Sequence, residues 1–384
     1  MSWRRYAAIP LASALVLAAC STPSVIPEES PQPDAQTADV ESETQTAEPE
    51  PSPEPPPAVA PERRWQQGRP QAGIQVYTHT AAGDRPADEY AAEVLDYVVR
   101  VGANSVGLTF PLYTDAVRAT TVSPGPETPP PDVLAAIVSA AHERSLRVML
   151  RPVIDEANLA QTPGEWRGTL RPPDLDAWFA SYEEALIPFL EMAAENEVEE
   201  FVLAAELTSL QRHEERWAAL AESARQVFPA TLSYTFNWDG TDTELLPEDS
   251  LGIDLYYNVD VDDNAGPEDI SAGLAAALRR IPQSMRERMV AQEVGIPGQA
   301  GMYRNPWYWG SDDSALYVPE IQSTWFTGAC QAVQENGLQG IYFWMIDSSE
   351  NPSMINPEDS RTASFIGRAG EDAIRDCFDS LLGQ

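Results

Sequence analysis

The sequence predicts an α/β chain whose main domain is a single closed (β/α)₈ barrel of parallel strands. Three observations carry this. From about residue 70 onward, short apolar runs alternate with longer amphipathic runs, eight times over. The short runs are apolar throughout, as strands covered on both faces must be. No Gly-x-Gly-x-x-Gly turn follows the first run, so the phosphate-loop signature of the rival open, doubly wound sheet is missing.

Taken in order, the first strand is Ile74–Tyr77, with a helix near Pro86–Arg100. Ser105–Phe110 is the second, followed by a helix near Pro131–Arg144, and Arg147–Pro152 is the third, followed by a long helix near Leu175–Asn196. Phe201–Ala205 is the fourth, with a helix near Glu214–Val227. Thr231–Phe236 is the fifth, and the segment after it is short and irregular. Leu251–Leu255 is the sixth, with a helix near Pro267–Ile281, and Met289–Gln292 is the seventh, with a helix near Pro319–Asn336. Gly340–Phe343 is the eighth, and a final helix is expected near Thr362–Leu381. No internal repeat is found.

Length and charge bound the function. The 384 residues suit two ordinary domains, or one large barrel with extras. A net charge of −36 repels phosphate backbones and argues against nucleic acid as a partner. It equally argues against a basic patch that would grip anionic lipid. Such acidity serves first to keep an extracellular protein soluble, and it suits a neutral polymer as partner.

The front of the chain is not part of the barrel. Arg4 and Arg5 precede an apolar stretch, Ala7 to Ala19, that is too short to span a bilayer, so residues 1–20 form an export signal. Leu17-Ala18-Ala19-Cys20 resembles a bacterial lipobox, which implies lipidation of Cys20 and an anchor made of lipid. An extracytoplasmic, membrane-tethered protein is expected. Residues 21–64 are rich in Pro, Glu, Ser, Thr and Ala without apolar periodicity, and read as a disordered linker. The barrel domain is assigned to 65–384. Of the other cysteines, Cys330 and Cys377 lie in the last two expected helices, which a closed barrel makes neighbours. A disulfide between them and a pair of inert buried thiols are both open readings.

In a parallel barrel, chemistry collects at the C-terminal ends of the strands. The polar residues there are His79 after the first strand, Arg151 and Asp155 after the third, and Glu206 after the fourth. Asn237 and Trp238 follow the fifth, Asp254 and Tyr256 the sixth, Glu293 the seventh and Trp344 the eighth. Glu206 and Glu293 each close an apolar run, where a charge is costly unless used or paired. Strands four and seven face each other across a barrel. Two carboxyl groups about 5 Å apart there match the needs of a retaining glycosidase: one protonated to assist the leaving oxygen, one ionised to attack the anomeric carbon. Arg151 and Asp155 are placed to orient the nucleophile or a sugar hydroxyl.

Seven short blocks in this region resemble the clan A barrel glycosidases, and glycoside hydrolase family 113 most. They include Leu150-Arg-Pro-Val-Ile-Asp155, Gly164-Glu-Trp-Arg-Gly168, Ala204-Ala-Glu-Leu207, Ile253-Asp-Leu-Tyr-Tyr257 and Ala291-Gln-Glu-Val-Gly295. The others are Leu232-Ser-Tyr-Thr-Phe-Asn-Trp238 and Gly340-Ile-Tyr-Phe-Trp344. The resemblance implies Glu206 as acid/base, Glu293 as nucleophile, and Trp166, Arg167, Trp238, Tyr256 and Trp344 along sugar subsites. It points to β-1,4-mannan as substrate. Two positions depart from the pattern: Ala205 stands where many relatives have Asn, and Val153 where relatives tend to have His. These motivate an alternative, a tethered carbohydrate-binding protein without turnover. A glycosidase acting on cell-wall glycan is a third reading.

Aromatic rings stack on the apolar faces of sugars, which singles out Trp307, with Tyr308 and Trp309, in the loop after Glu293. His79 is a candidate substrate contact. His79, His142 and His213 have no metal-ligand spacing, and Asp260-Val-Asp-Asp-Asn264 lacks the Gly and Glu positions of an EF-hand loop. No Gly-x-Ser-x-Gly nucleophile elbow is present. No cofactor is called for, and a monomer is expected.

Overall fold

A computed structural model describes residues 55–79, 87–241, 249–308, 316–348, 350–355, 357 and 364–383. Cys20, the export signal, the linker to residue 54, Trp309 and the 242–248 segment lie outside the described residues.

Eight parallel strands close in sequence order, β1 Gln71–Tyr77, β2 Ser105–Leu112, β3 Arg147–Ile154, β4 Glu200–Ala205, β5 Thr231–Asn237, β6 Ser250–Asp254, β7 Met289–Val294 and β8 Gly340–Asp347. The barrel seam is the parallel pairing of β1 with β8, which runs from Gln71↔Gly340 to Tyr77↔Asp347. The helices are α1 Ala87–Arg100, α2 Pro131–Glu143, α3 Leu175–Glu195, α4 Glu214–Val227, α5 Pro267–Leu278, the short α6 Gln283–Arg286, α7 Glu320–Glu335 and α8 Ala369–Leu382. Among the described residues no helix joins β5 to β6, in keeping with the irregular link expected there.

Three boundaries differ from those read in the sequence, two of them at the site. β7 runs past Gln292, so Glu293 lies within the strand, and β8 continues to Asp347, so Trp344 is a strand residue. The last helix starts at Ala369, not near Thr362: Gly367 takes φ +70° and Arg368 is extended, which no helix can continue through. Residues 55–64, grouped with the linker by composition, include packed positions. Val59 is buried and its N–H bonds the carbonyl of Arg144 (2.8 Å), while Arg63 pairs with Asp379 at 2.6 Å.

The outer core fills the space between sheet and helices. Leu108, Leu150 and Ile253 from the strands meet Trp178, Trp217, Phe326 and Trp325 from α3, α4 and α7, all without solvent exposure. Each such side chain contributes about 2 kcal/mol by leaving water. The barrel interior is different. Along β3, Arg147, Met149 and Arg151 occupy one face, as the two-residue period of a strand requires. Met149 joins Val202, Val290 and Tyr342 in a separate buried cluster. Below it, Arg147 pairs with Glu200 at 2.5 Å, and Glu200 also accepts from Ser233 (2.6 Å) and Gln292 (2.9 Å). Trp65 lies 4.8 Å from the Arg147 guanidinium at this end. Glycines make room for the network: a Cβ at Gly107 or Gly252 would collide with Gln75 or Gln292.

Cys330 of α7 and Cys377 of α8 are bonded, with Cα atoms 5.8 Å apart, so the disulfide reading holds. The bridge closes a loop with a sequence separation of 47. Loop-closure entropy then sets an upper contribution of about 4 kcal/mol. Cys330→Ser/Cys377→Ser is expected to lower the urea midpoint, and a reductant to lower it in the parent but not in the double variant. Identical midpoints for both proteins would contradict this.

Candidate active site

Arg151 organises the mouth of the barrel. It is fully buried at the top of the inward face of β3 and reaches across to β6 and β7. One amino group donates to Asp254 Oδ2 at 2.7 Å, and the other to Glu293 Oε1. Tyr256, just past β6, donates its hydroxyl to Glu293 Oε2 at 3.0 Å. Both oxygens of Glu293 therefore accept a hydrogen bond from a buried donor. Two charge-assisted or polar donors thus fix the carboxylate in place. Burial and the anionic surroundings hold the Tyr256 hydroxyl well above its usual range, so it remains a donor.

Glu206 is built differently. It follows the last residue of β4 in a left-handed conformation, φ +58°, with its N–H bonded to the carbonyl of Thr235 on β5 (2.9 Å). A non-glycine residue pays about 1 kcal/mol for that backbone. The turn away from the strand leaves the side chain 14% exposed, while its nearest cation, Arg167 Nη1, stands 3.7 Å away. Burial raises its carboxyl. Arg167 pulls it down, the Glu293 charge pushes it up and Arg151 pulls it down, and it comes to about 7. The two glutamates thus have opposite environments. One is pinned by two donors, and the other, raised to about 7, holds a proton near neutral pH.

Arg167 is itself held by Glu156, whose Oε1 accepts from both its backbone N–H (2.9 Å) and its Nε (3.0 Å). Burial raises the Glu156 carboxyl and Arg167 opposes the rise. Trp166 lies over Gly168 in the same loop, half-buried. Trp344 is flanked by Arg151, 5.9 Å from its ring centroid, and by the edge of Tyr77 at 6.2 Å. Tyr77 in turn donates to Asp155 at 3.1 Å. His79 meets Asp347 at 3.0 Å, and that hydrogen bond raises its ring above the usual range, with burial acting the other way.

The expected site residues therefore divide. Arg151, Arg167, Asp254, Tyr256 and Trp344 connect to the two glutamates, directly or through Arg151. His79 and Asp155 form a second polar group near β1 and β8. On the β5 and β6 ends Asn237 donates to Asp239, Trp238 packs against Tyr257 at 5.7 Å, and Trp307 donates to Asn258 at 3.2 Å. Arg151 and Asp254 have no solvent exposure: Asp254 meets Arg151, and Arg151 meets Glu293, the carboxylate that it is expected to orient. Asp260 and Asp262 pair with Arg304, at 2.7 and 3.1 Å. Sequence reasoning does not reach Tyr77, Glu156 or Asp347. Tyr77 and Glu156 are adjacent in sequence, or nearly so, to chosen residues, but their partners are set only by the barrel's closure.

Two glutamates at the ends of strands from opposite sides of a parallel barrel, one pinned by two donors and the other raised to about 7, are the carboxyl pair that glycoside hydrolysis needs. The chain belongs to Glycoside Hydrolase Family 113, whose family model matches residues 76–360. Its substrate class is accordingly a polysaccharide or oligosaccharide. No curated protein sequence matches the chain. Among solved structures, a GH113 β-1,4-mannanase superimposes with a TM-score of 0.68 at 18% identity, covering 81% of this chain and 99% of that one. The GH113 β-mannanase of Alicyclobacillus acidocaldarius in complex with ManMIm gives 0.63 at 21% identity, covering 82% and 99%. An exo-β-1,4-mannosidase from an Opitutaceae bacterium gives 0.52 at 14%, covering 84% and 62%. At these identities the likeness shows the shared fold.

Proposed function

We propose that this glycoside hydrolase is a retaining β-glycosidase acting on β-1,4-mannan or its oligosaccharides. The carrying observation is the asymmetry of the two carboxyls. Glu293, held by Arg151 and Tyr256, attacks the anomeric carbon. Glu206, raised to about 7, gives its proton to the leaving oxygen and then takes one from the attacking water. Trp344, Trp166 and Arg167 line the cleft that holds the sugars. Mannan is favoured because GH113 structures that share this fold carry that activity in their names.

The enzyme works outside the cytoplasm as a monomer, tethered through lipid on Cys20, with the Pro- and Glu-rich linker as spacer. The Cys330–Cys377 bridge supports an oxidising compartment. The test is hydrolysis of a panel of β-linked polysaccharides and aryl β-glycosides, with the anomer first released followed by NMR. Turnover of mannan or aryl β-mannoside with a β-configured first product is expected. Binding without turnover on every member would favour a carbohydrate-binding protein, and an α-configured first product would exclude retention.

A further inference from the structure

Arg151 is one cation set between two buried carboxylates. Asp254 on β6 and Glu293 on β7 are partners in register, and each takes one amino group of the guanidinium. The other oxygen of Asp254, Oδ1, is buried without a hydrogen-bond partner among the described residues. Asp254 has no solvent exposure; burial raises its carboxyl, and the Arg151 guanidinium in direct contact opposes that rise. We propose that Asp254 is a positioning residue that divides the charge of Arg151, so that Glu293 is fixed in place without being over-stabilised as an anion. This rests on the reading of Glu293 as nucleophile.

The balance of charge through the reaction gives the argument. In the first step a lone pair of Glu293 forms the bond to C1. The C1–O glycosidic bond breaks, its electron pair stays on the leaving oxygen, and that oxygen takes the proton of Glu206. Glu293 is now a neutral ester and Glu206 an anion. In the second step water attacks C1 and gives its proton to Glu206, while the C1–ester bond breaks and its electron pair returns to Glu293. Negative charge moves between the two glutamates, whereas the Arg151–Asp254 pair stays neutral throughout. Without Asp254, Arg151 would be a buried, uncompensated cation in the intermediate, a state of high cost. In the free enzyme its whole charge would fall on Glu293 and blunt the attack.

Three carboxyl groups share this site, and they differ in their contact with a cation. Asp254 and Glu293 each touch the guanidinium, whereas the nearest cation to Glu206 is 3.7 Å away. Burial raises both Glu206 and Asp254, but of these two only Asp254 has a guanidinium in direct contact to hold its charge, which makes it the counter-charge of Arg151 in this proposal.

The two steps respond differently when Asp254 is neutralised, the first slowed and the second not, which a simple loss of packing would not produce. The probe is the 2-deoxy-2-fluoroglycosyl fluoride of the sugar selected by the substrate panel, beginning with the β-manno compound. Its rate of inactivation reports the first step, its rate of reactivation the second, and the mass of the labelled peptide identifies the nucleophile. In the full-length chain, Asp254→Asn is expected to slow inactivation by about 30-fold, the size of one charge-assisted hydrogen bond. Reactivation should be unchanged or faster. Asp254→Ser removes the same charge with less bulk and serves if Asn is not tolerated, with thermal unfolding of each variant confirming the fold. Equal slowing of both steps would assign a merely structural role and overturn the proposal, as would no change in either. A label on a residue other than Glu293, or a wild-type enzyme that is never labelled, would overturn the mechanistic reading itself and the proposal with it.

Discussion

Glu293→Ala is expected to lower turnover by at least about 10³-fold, since it removes the group that forms the covalent bond. The fold should survive. The variant leaves Arg151 paired with Asp254 at 2.7 Å, a neutral buried pair, and Tyr256 loses only an acceptor. The space vacated by the carboxylate lies beside a guanidinium and a phenolic hydroxyl, a setting that draws a small anion. Added azide should therefore attack C1 from the Glu293 side and restore the turnover of an activated aryl β-glycoside. The product should be the α-glycosyl azide, because one displacement inverts the centre. NMR of that product checks the assignment. Wild-type-like turnover by Glu293→Ala, or a β-azide, would remove Glu293 from the nucleophile's place.

How far the site is legible in the sequence depends on whether a residue's role comes from its own strand or from its neighbours. Glu206 and Glu293 are legible because each puts a charge at the end of an apolar run, and a barrel's strand order alone sets the fourth opposite the seventh. The eight strands are legible for the same reason, as continuous apolar runs. Asp254 stands out as a polar strand end, yet its task does not. Only the crossing of Arg151 from β3 shows that this carboxylate is buried against a cation. Glu156 is overshadowed by its neighbour Asp155, because nothing local reveals that the chain returns Arg167 to it eleven positions on. The floor formed by Arg147 and Glu200 reads in sequence as two ordinary charges flanking strands. Its burial comes from barrel closure, which places five strands around one small volume. The left-handed turn at Glu206 is equally silent, since no glycine marks it.

Glu206→Ala should show a different signature, set by the leaving group. Its proton is needed when the departing oxygen is a sugar hydroxyl and hardly needed for an acidic phenol. Turnover of oligosaccharide is expected to fall by about 10³-fold, and the first step on a dinitrophenyl glycoside far less. Azide should yield the β-glycosyl azide, since it attacks the covalent intermediate from the side that water would. The pH profile gives a further check. A carboxyl that must be protonated confers activity below its pKa and withdraws it above. With Glu206 at about 7, kcat/KM of the wild type on unactivated substrate should decline on the alkaline side of that value. The alkaline limb should vanish in Glu206→Ala assayed with an activated glycoside. Arg167 opposes the rise of the Glu206 carboxyl, so Arg167→Gln should carry the limb to higher pH. A limb that stays in place when Glu206 is absent would assign the titration to another group. A limb that moves to lower pH in Arg167→Gln would refute the electrostatic account of how the acid is tuned.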